Sequence, residues 1–242
     1  MMPQRYSGSV ALVTGAASGI GRATAARLRD EGARVAGLDV SDAAQDGVFA
    51  VRADVRDEAA VAEAVERVAA WGGRLDLVAN VAGVAAYAHT TDVTLAEWDR
   101  ILGVNLTGTF LVSRAALPHL VAARGAIVNV SSLAGVRGWR YSAAYSAAKG
   151  GVVALTRSLA VEYAPVGVRV ACVCPGSVDT PLKAGLRPVP NPHPKLDGRG
   201  GALVDPPVAD PDEVAAAIAY LGAAEARFAT GAVLRLDGGA GA

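Results

Sequence analysis

The chain is poor in the residues that most often announce special chemistry. It has two cysteines, three histidines and only 5% aromatic residues, and its 23 basic side chains are balanced by 23 acidic ones. Each shortage removes a class of function. Cys172 and Cys174 sit one residue apart in Val170-Ala-Cys-Val-Cys174. Strand alternation points both thiols to one face, where a disulfide between them is sterically unfavourable, so they read as small buried apolar side chains. His89, His119 and His193 are scattered without a recurrent ligand spacing, and no metal site is assigned. A net charge of zero, with no long block of one sign, gives no general attraction to nucleic acid or an anionic membrane. The expected partner is a small molecule. The N-terminal Met1-Met2-Pro3-Gln4-Arg5-Tyr6-Ser7-Gly8 lacks the apolar segment of a secretory signal, and no later apolar run reads as long enough to span a bilayer. The expectation is a cytoplasmic protein.

What the chain does have is 52% hydrophobic residues and 28 glycines over 242 positions, a composition suited to helices packed closely on one buried sheet. Apolar runs and helical stretches alternate. Strands are predicted at Val10 to Val13, Val35 to Leu38, Val48 to Val51, Leu75 to Ala79, Ala126 to Val130, Val168 to Val173 and Val233 to Leu236. Helices are predicted at Arg22 to Glu31, Glu58 to Trp71, Leu95 to Leu120 and Ala143 to Tyr163. Continuous apolar strands alternating with helices predict an α/β fold, a doubly wound parallel sheet of about seven strands in a single domain spanning 1–242. One segment breaks the pattern. Pro181, Pro188, Pro190, Pro192, Pro194, Pro206 and Pro207, with Gly185, Gly198, Gly200 and Gly201 between them, forbid a regular helix throughout. It is too long for an ordinary connection and reads as a substrate lid over about 181–210. Asp210-Pro211-Asp212-Glu213 restarts a helix, with Asp210 as N-cap and Glu213 completing a capping box.

The turn after the first strand, Thr14-Gly-Ala-Ala-Ser-Gly-Ile-Gly21, spaces Gly15, Gly19 and Gly21 so that the backbone turns sharply and approaches a pyrophosphate at the next helix N-terminus. Packing alone also produces such turns. Asp39 ends the second strand about 20 residues later, where a carboxylate accepts hydrogen bonds from ribose hydroxyls and repels a 2′-phosphate. None of Ala17, Ser18 and Val40 supplies a cation for that phosphate. The cofactor these residues favour is NAD over NADP. Farther on, Tyr145 and Lys149 stand four residues apart, thirteen and more residues beyond Ser132. On a helix they share one face, so the ammonium lies near the phenol. Lowering a phenol pKa by about three units needs roughly 4 kcal/mol, within reach of that cation plus a cofactor charge at low dielectric. By itself such a pair also arises as a surface lysine beside a half-buried tyrosine.

In order along the chain stand the glycine turn, Asn80-Val-Ala-Gly83, Asn105, Ser132, Tyr145-x-x-x-Lys149 and Pro175-Gly-Ser-Val-Asp-Thr180, closing with Val233-Leu-Arg-Leu-Asp-Gly-Gly239. Joint order and spacing resemble the short-chain dehydrogenase/reductase family over essentially the whole chain. The resemblance implies a Rossmann-type fold and hydride transfer between NAD and a secondary alcohol or ketone. It implies that Tyr145 is the general acid/base, that Ser132 holds the substrate oxygen, that Lys149 binds the nicotinamide ribose and lowers the Tyr145 pKa, and that Asn105 holds a relay water. Ser131 competes with Ser132 and reads as a strand-end hydrogen-bonding residue. The cofactor contacts implied are Gly15, Ser18, Gly19, Ile20 and Gly21 at the turn, Asp39 at the adenosine ribose, Asp54 and Val55 around the adenine, the backbone of Asn80, Ala82 and Gly83 along the adenosine ribose, and Pro175, Gly176, Val178 and Thr180 around the nicotinamide. Val81 departs from the family, which usually has a second Asn there. Assembly into a homotetramer through the helices bearing Asn105 and Tyr145 is implied as well. The competing function is a non-catalytic NAD-binding redox regulator, which would not need the complete set of Asn105, Ser132, Tyr145 and Lys149. An epimerase or dehydratase ranks below both. Around the substrate, Tyr87, Trp139 and Tyr141 suit a ring or simple packing, and Arg137 and Arg140 read as solvated charge first and as an anion site second.

Overall fold

The structure, a computed structural model, describes residues 4–196 and 201–242; residues 1–3 of the N-terminal reading and 197–200 of the lid lie outside it. Seven strands form one sheet in the order β3-β2-β1-β4-β5-β6-β7. They are β1 (Val10–Thr14), β2 (Arg34–Asp39), β3 (Val48–Arg52), β4 (Leu77–Asn80), β5 (Ala126–Val130), β6 (Arg169–Pro175) and β7 (Val233–Leu236), and every neighbouring pair is parallel. The helices are α1 (Gly19–Asp30), α2 (Glu58–Gly72), α3 (Leu95–Leu102), α4 (Gly108–Ala123), α5 (Ala143–Tyr163), α6 (Pro181–Ala184) and α7 (Pro211–Gly222). This is the doubly wound α/β architecture the alternating pattern predicts.

The two sheet faces explain why the strands read as unbroken apolar runs. In β1, Val10 and Leu12 face a layer containing Val61 and Val65 of α2, Leu120 of α4 and Leu159 of α5. Ala11 and Val13 face the opposite layer, with Leu28 of α1 and Ile218 of α7. Leu12, Leu28 and Ile218 are wholly buried, and each such side chain contributes about 1.5–3 kcal/mol from apolar burial. Polar side chains end the helices. Asp57 caps α2 by accepting from the Ala59 and Ala60 amides, and Asp210 with Glu213 forms the complete capping box of α7.

Two of the departures from the sequence reading have a visible cause. β4 starts at Leu77 because Asp76 is spent joining strands: its amide donates to Val10 O at 2.9 Å, its carbonyl accepts from Ala126 N at 2.8 Å, and its carboxylate takes Val10 N at 2.9 Å. The long helix expected from Leu95 contains a π-helical turn at Gly103–Thr107 between α3 and α4. The stretch Leu95–Ala123, 29 residues containing an 18-residue window of mean hydropathy 1.2, is long and apolar enough by length and composition to cross a membrane. That corrects the expectation that no run reaches this length. Half of that window is buried, and the stretch packs on α2 and α5, as a core helix of a large sheet does.

β1 and β4 lie side by side although β2 and β3 intervene in sequence, so the chain's direction of winding reverses there and a crevice opens at the strands' C-terminal ends. The proline-rich segment contributes Pro181, Leu182, Leu186 and Pro207 to the lining of that crevice. It holds α6 and a 3₁₀ turn at Pro194–Leu196 and is otherwise irregular where described. Val178 bridges Ala209 in parallel at its base, His89 Nε2 meets Pro190 O at 2.9 Å, and the Leu203 amide donates to Gly238 O at 2.7 Å.

Candidate active site

One cavity of about 920 Å³ runs along the C-terminal ends of the strands, at the upper end of the size of small-molecule sites. Of the catalytic and cofactor-contact residues singled out in the sequence, all but Asn80 line it: Gly15, Ser18, Gly19, Ile20 and Gly21, then Asp39, Asp54 and Val55, Ala82 and Gly83, Asn105, Ser132, Tyr145 and Lys149, and Pro175, Gly176, Val178 and Thr180. Asn80 is 3% exposed and turns into the core, where its Nδ2 donates to Ser113 Oγ at 3.0 Å and Asn129 Oδ1 at 2.9 Å. Asn129 passes the chain on to Thr156 Oγ1 at 2.9 Å.

The glycine turn is a cradle that side chains would fill. Gly15 holds φ +69, and a Cβ there would lie 2.8 Å from Ala82 Cα. At Gly21 it would lie 2.0 Å from the carbonyl oxygen of Gly15. The N-cap Ser18 makes no side-chain hydrogen bond to α1, whose first turn carries no acid. The first amides of a helix, left without an internal partner, suit a phosphate anion, so the residues present fit a dinucleotide. Thr14, given no role of its own in the sequence reading, joins the two halves of the cradle: its Oγ1 accepts from Val81 N at 3.0 Å and Ala82 N at 3.1 Å. Its signal was a lone polar residue closing an apolar strand.

Asp39 is placed where β2 ends, its Oδ2 accepting from Ala17 N at 3.1 Å and its Oδ1 from Ser41 N at 2.9 Å. The strand register adds a cation the sequence did not bring near it, Arg52, paired with Asp39 across β2 and β3. Arg52 donates to Val40 O at 3.0 Å and does not reach the cavity lining.

At the other end, the loop after β5 and the first turns of α5 bring the chemistry together. Ser132 and Tyr145 share a side-chain hydrogen bond. Ser131 is turned away from it, its hydroxyl donating to Lys149 O at 2.7 Å and so tying β5 to α5. The Lys149 ammonium lies 5.8 Å from the Tyr145 ring centre and donates to Val130 O at 2.9 Å. Burial raises the Tyr145 phenol well above its ordinary value, Tyr87 adds to that, and the Ser132 hydrogen bond pulls it down. Burial also lowers the Lys149 ammonium to about 8. A lysine that sheds its proton before the phenol titrates offers it no charge. The chain by itself therefore keeps Tyr145 protonated, and a phenolate there needs a further positive charge.

Asn105, fully buried, stands in the π-helical turn. Its Nδ2 donates to Val84 O and Ile101 O, both at 2.8 Å, and its Oδ1 accepts from Val84 N at 3.3 Å. With both amide hydrogens committed, it offers the cavity acceptors only. Tyr87 stands edge-on to Tyr145 at 6.4 Å between ring centres. Tyr87, Trp139 and Arg140 line the cavity, whereas Arg137 donates to Ala240 O and Tyr141 stands edge-on to His89 at 5.0 Å.

Comparison with known proteins agrees with this geometry. Residues 15–241 match the family model described as enoyl-(acyl carrier protein) reductase. The cis-4-hydroxycyclohexanecarboxylate dehydrogenase of Sinomonas cyclohexanicum is 46% identical over 98% of both chains, and the meso-2,3-butanediol dehydrogenase of Serratia marcescens is 38% identical over 98% of this chain and 96% of that one. Among solved structures, the 3-ketoacyl-(acyl-carrier-protein) reductase of Brucella melitensis complexed with NADH superposes with a TM-score of 0.88 at 33% identity, covering 98% of this chain and 100% of the other. With its sheet order, its glycine cradle and a match spanning nearly its whole length, the chain belongs to the short-chain dehydrogenase/reductase family of oxidoreductases.

Proposed function

We propose that the protein is an NAD-dependent dehydrogenase that interconverts a secondary alcohol and a ketone, with Tyr145 as the general acid/base. The observation that carries this reading is the Ser132–Tyr145 hydroxyl pair, set against the buried Lys149 at one end of a cavity whose other end is a phosphate cradle. Bound along the cradle, NAD⁺ supplies a hydride acceptor and the positive charge that the Tyr145 phenol lacks in the chain alone. In the oxidative direction Ser132 holds the substrate oxygen and Tyr145, as phenolate, takes the hydroxyl proton. The hydroxyl proton would then rest on Tyr145 as the alcohol becomes a ketone, the hydride acceptor being supplied by the dinucleotide that the cradle would hold. Lys149 holds the nicotinamide ribose, and Asn105, with only acceptors to offer, would take a hydrogen bond from the water that carries the proton away.

Asp39 supports NAD over NADP: it is the charged residue of the cavity at the end of β2, while Arg52 is turned to Val40 O. The exposed Phe110 of α4 and Val161 of α5 support assembly into a homotetramer through those helices, which sedimentation of the purified chain would read. The test of function is reduced-nicotinamide absorbance over a panel of cyclic and acyclic secondary alcohols. Turnover is expected with NAD, falling roughly a hundred- to ten-thousandfold in Tyr145→Phe, with preference moving toward NADP in Asp39→Ala combined with Val40→Arg. Near-normal turnover by Tyr145→Phe would overturn the mechanism. Equal efficiency with both cofactors would overturn the NAD assignment, and NAD binding without any turnover would leave the regulator.

A further inference from the structure

A second cavity, of about 530 Å³, lies at the opposite end of the sheet from the active cavity. Its lining includes Ser9, Asp76, Gly125 and Val168, which directly precede β1, β4, β5 and β6 in turn. Because these strands run parallel, the four residues mark their N-terminal ends. The volume falls within the range of small-molecule sites.

What distinguishes this cavity is four arginines, Arg5, Arg124, Arg169 and Arg227, against one carboxylate, Asp76, among the described lining residues. Two of the four are spent on the protein. Arg5 forks onto Glu31 and also meets Glu225. Arg169 closes the end of α7, donating to the carbonyls of Leu221, Gly222, Ala223 and Ala226 at 2.7–3.2 Å, and its charge offsets the negative end of that helix. The Asp76 carboxylate is taken by Arg74 and by the Val10 amide. Arg124 and Arg227 remain: among the described residues their guanidiniums make no hydrogen bond or ion pair.

The backbone carries one of them at a cost. Arg124 ends α4 at φ +52 and ψ +46, the left-handed conformation that glycine adopts freely and that costs another residue about 1–2 kcal/mol. Glycine is the usual residue at such a helix end, yet here it comes one position later, as Gly125. Gly167, just after α5, gives the arginine its room. A Cβ on Gly167 would lie 3.2 Å from Arg124 Cγ and 3.3 Å from its Cδ, so the bare backbone there accommodates the Arg124 stem.

We propose that this cavity binds a phosphate group, free or carried on a small molecule, clasped between Arg124 and Arg227. Guanidinium forks meet phosphate oxygens with paired, parallel hydrogen bonds, and Ala123, Ala164 and Ala224 in the same lining suit a short carbon skeleton. A chain of zero net charge has no extended field for a polyanion, so the site takes one compact group. Its occupant shares no space with a dinucleotide in the glycine cradle, which lies at the other end of the strands.

The test is thermal unfolding of the full chain, with and without saturating NAD, in inorganic phosphate, in phenyl phosphate and in chloride at equal ionic strength. At ten times its Kd, phosphate should raise Tm by about 3–5 °C over chloride, and NAD should leave that rise in place. Phenyl phosphate acting at lower concentration assigns the site to a phosphate ester, and inorganic phosphate acting alone assigns it to the free ion. Arg227→Gln should remove most of the rise. Arg124→Gly, suited to the left-handed backbone, should melt above the unmodified chain in chloride yet respond no more to phosphate than to chloride. Lys183→Gln, in the active cavity, should keep the full response. If chloride matches phosphate, or if the rise survives both Arg124→Gly and Arg227→Gln, the two arginines are solvated charges and the proposal is overturned. A rise that NAD abolishes belongs to the glycine cradle and overturns it equally.

Discussion

Lys149 shows how the site opposes the fold. Its side chain is buried, 4% exposed, and its ammonium is held down to about 8, against about 10.4 in an unfolded chain. Because the folded state gives up its proton first, the unfolded state binds more protons between those values. Stability therefore climbs as pH rises from about 8 to 10.4, and the full penalty is present below 8. Lys149→Met should make the protein roughly 1–3 kcal/mol more stable at pH 7, a gain reduced by the hydrogen bond lost at Val130 O and fading above about pH 10. Urea unfolding at the two pH values checks it. The partner residue carries the opposite perturbation. Burial raises the Tyr145 phenol and the Ser132 hydrogen bond opposes that rise. In alcohol oxidation kcat/KM should climb with pH as the phenolate forms. Ser132→Ala should move the climb to higher pH and lower the plateau by roughly a hundred- to a thousandfold. A pH profile that Ser132→Ala leaves in place would remove Ser132 from the proton's environment. Both residue types and their spacing were legible in the sequence. The order in which they titrate was not, because it depends on what buries them.

At the scale of elements, the π-helical turn Gly103–Thr107 joins recognition to stability. An extra residue in a helical turn costs regular hydrogen bonding and persists where something holds it. Here Asn105 does the holding, through Val84 on the loop after β4 and Ile101 on α3. Asn105→Ala leaves those groups unpaired in a buried place and should cost about 3 kcal/mol, read by chemical unfolding. Turnover should drop as well, since the Val84 loop lines the cavity. Periodicity announced the helix from Leu95 but not the turn inside it, because its cause lies 21 residues away in sequence. The N-cap of α7 is the contrary case. Asp210, Pro211 and Glu213 declare it locally, and the capping box forms as their spacing dictates.

For the molecule as a whole, the proline-rich segment along the crevice is the part whose behaviour matters most. Its proline and glycine content excludes a regular helix throughout, and in the structure it is tied down at Pro190 by His89, at His193 by Tyr141 and at Leu203 by Gly238. Among the described residues these are few bonds for a segment of this length, so we expect it to open before the sheet does. Limited proteolysis should cut first between Pro181 and Pro207, NAD with a substrate should slow the cutting several-fold, and Tyr141→Phe should speed it. Equal rates in free and bound protein would mean that the segment is no lid.

What the sequence determined by itself is whatever arises from neighbours along the chain. Alternating apolar runs and helical stretches specify a parallel sheet covered on both faces, Gly15, Gly19 and Gly21 specify a turn that side chains would fill, and Tyr145 and Lys149 share a helix face by spacing alone. Tertiary structure decided everything that depends on which strands become neighbours. The order β3-β2-β1-β4 set Arg52 beside Asp39 and opened the crevice between β1 and β4. It buried Asn80 in a polar chain with Asn129, turned Ser131 to Lys149 O and left Arg140, rather than Arg137, lining the cavity. Such choices follow from packing and from satisfying buried polar groups across distant segments, and no local pattern encodes them.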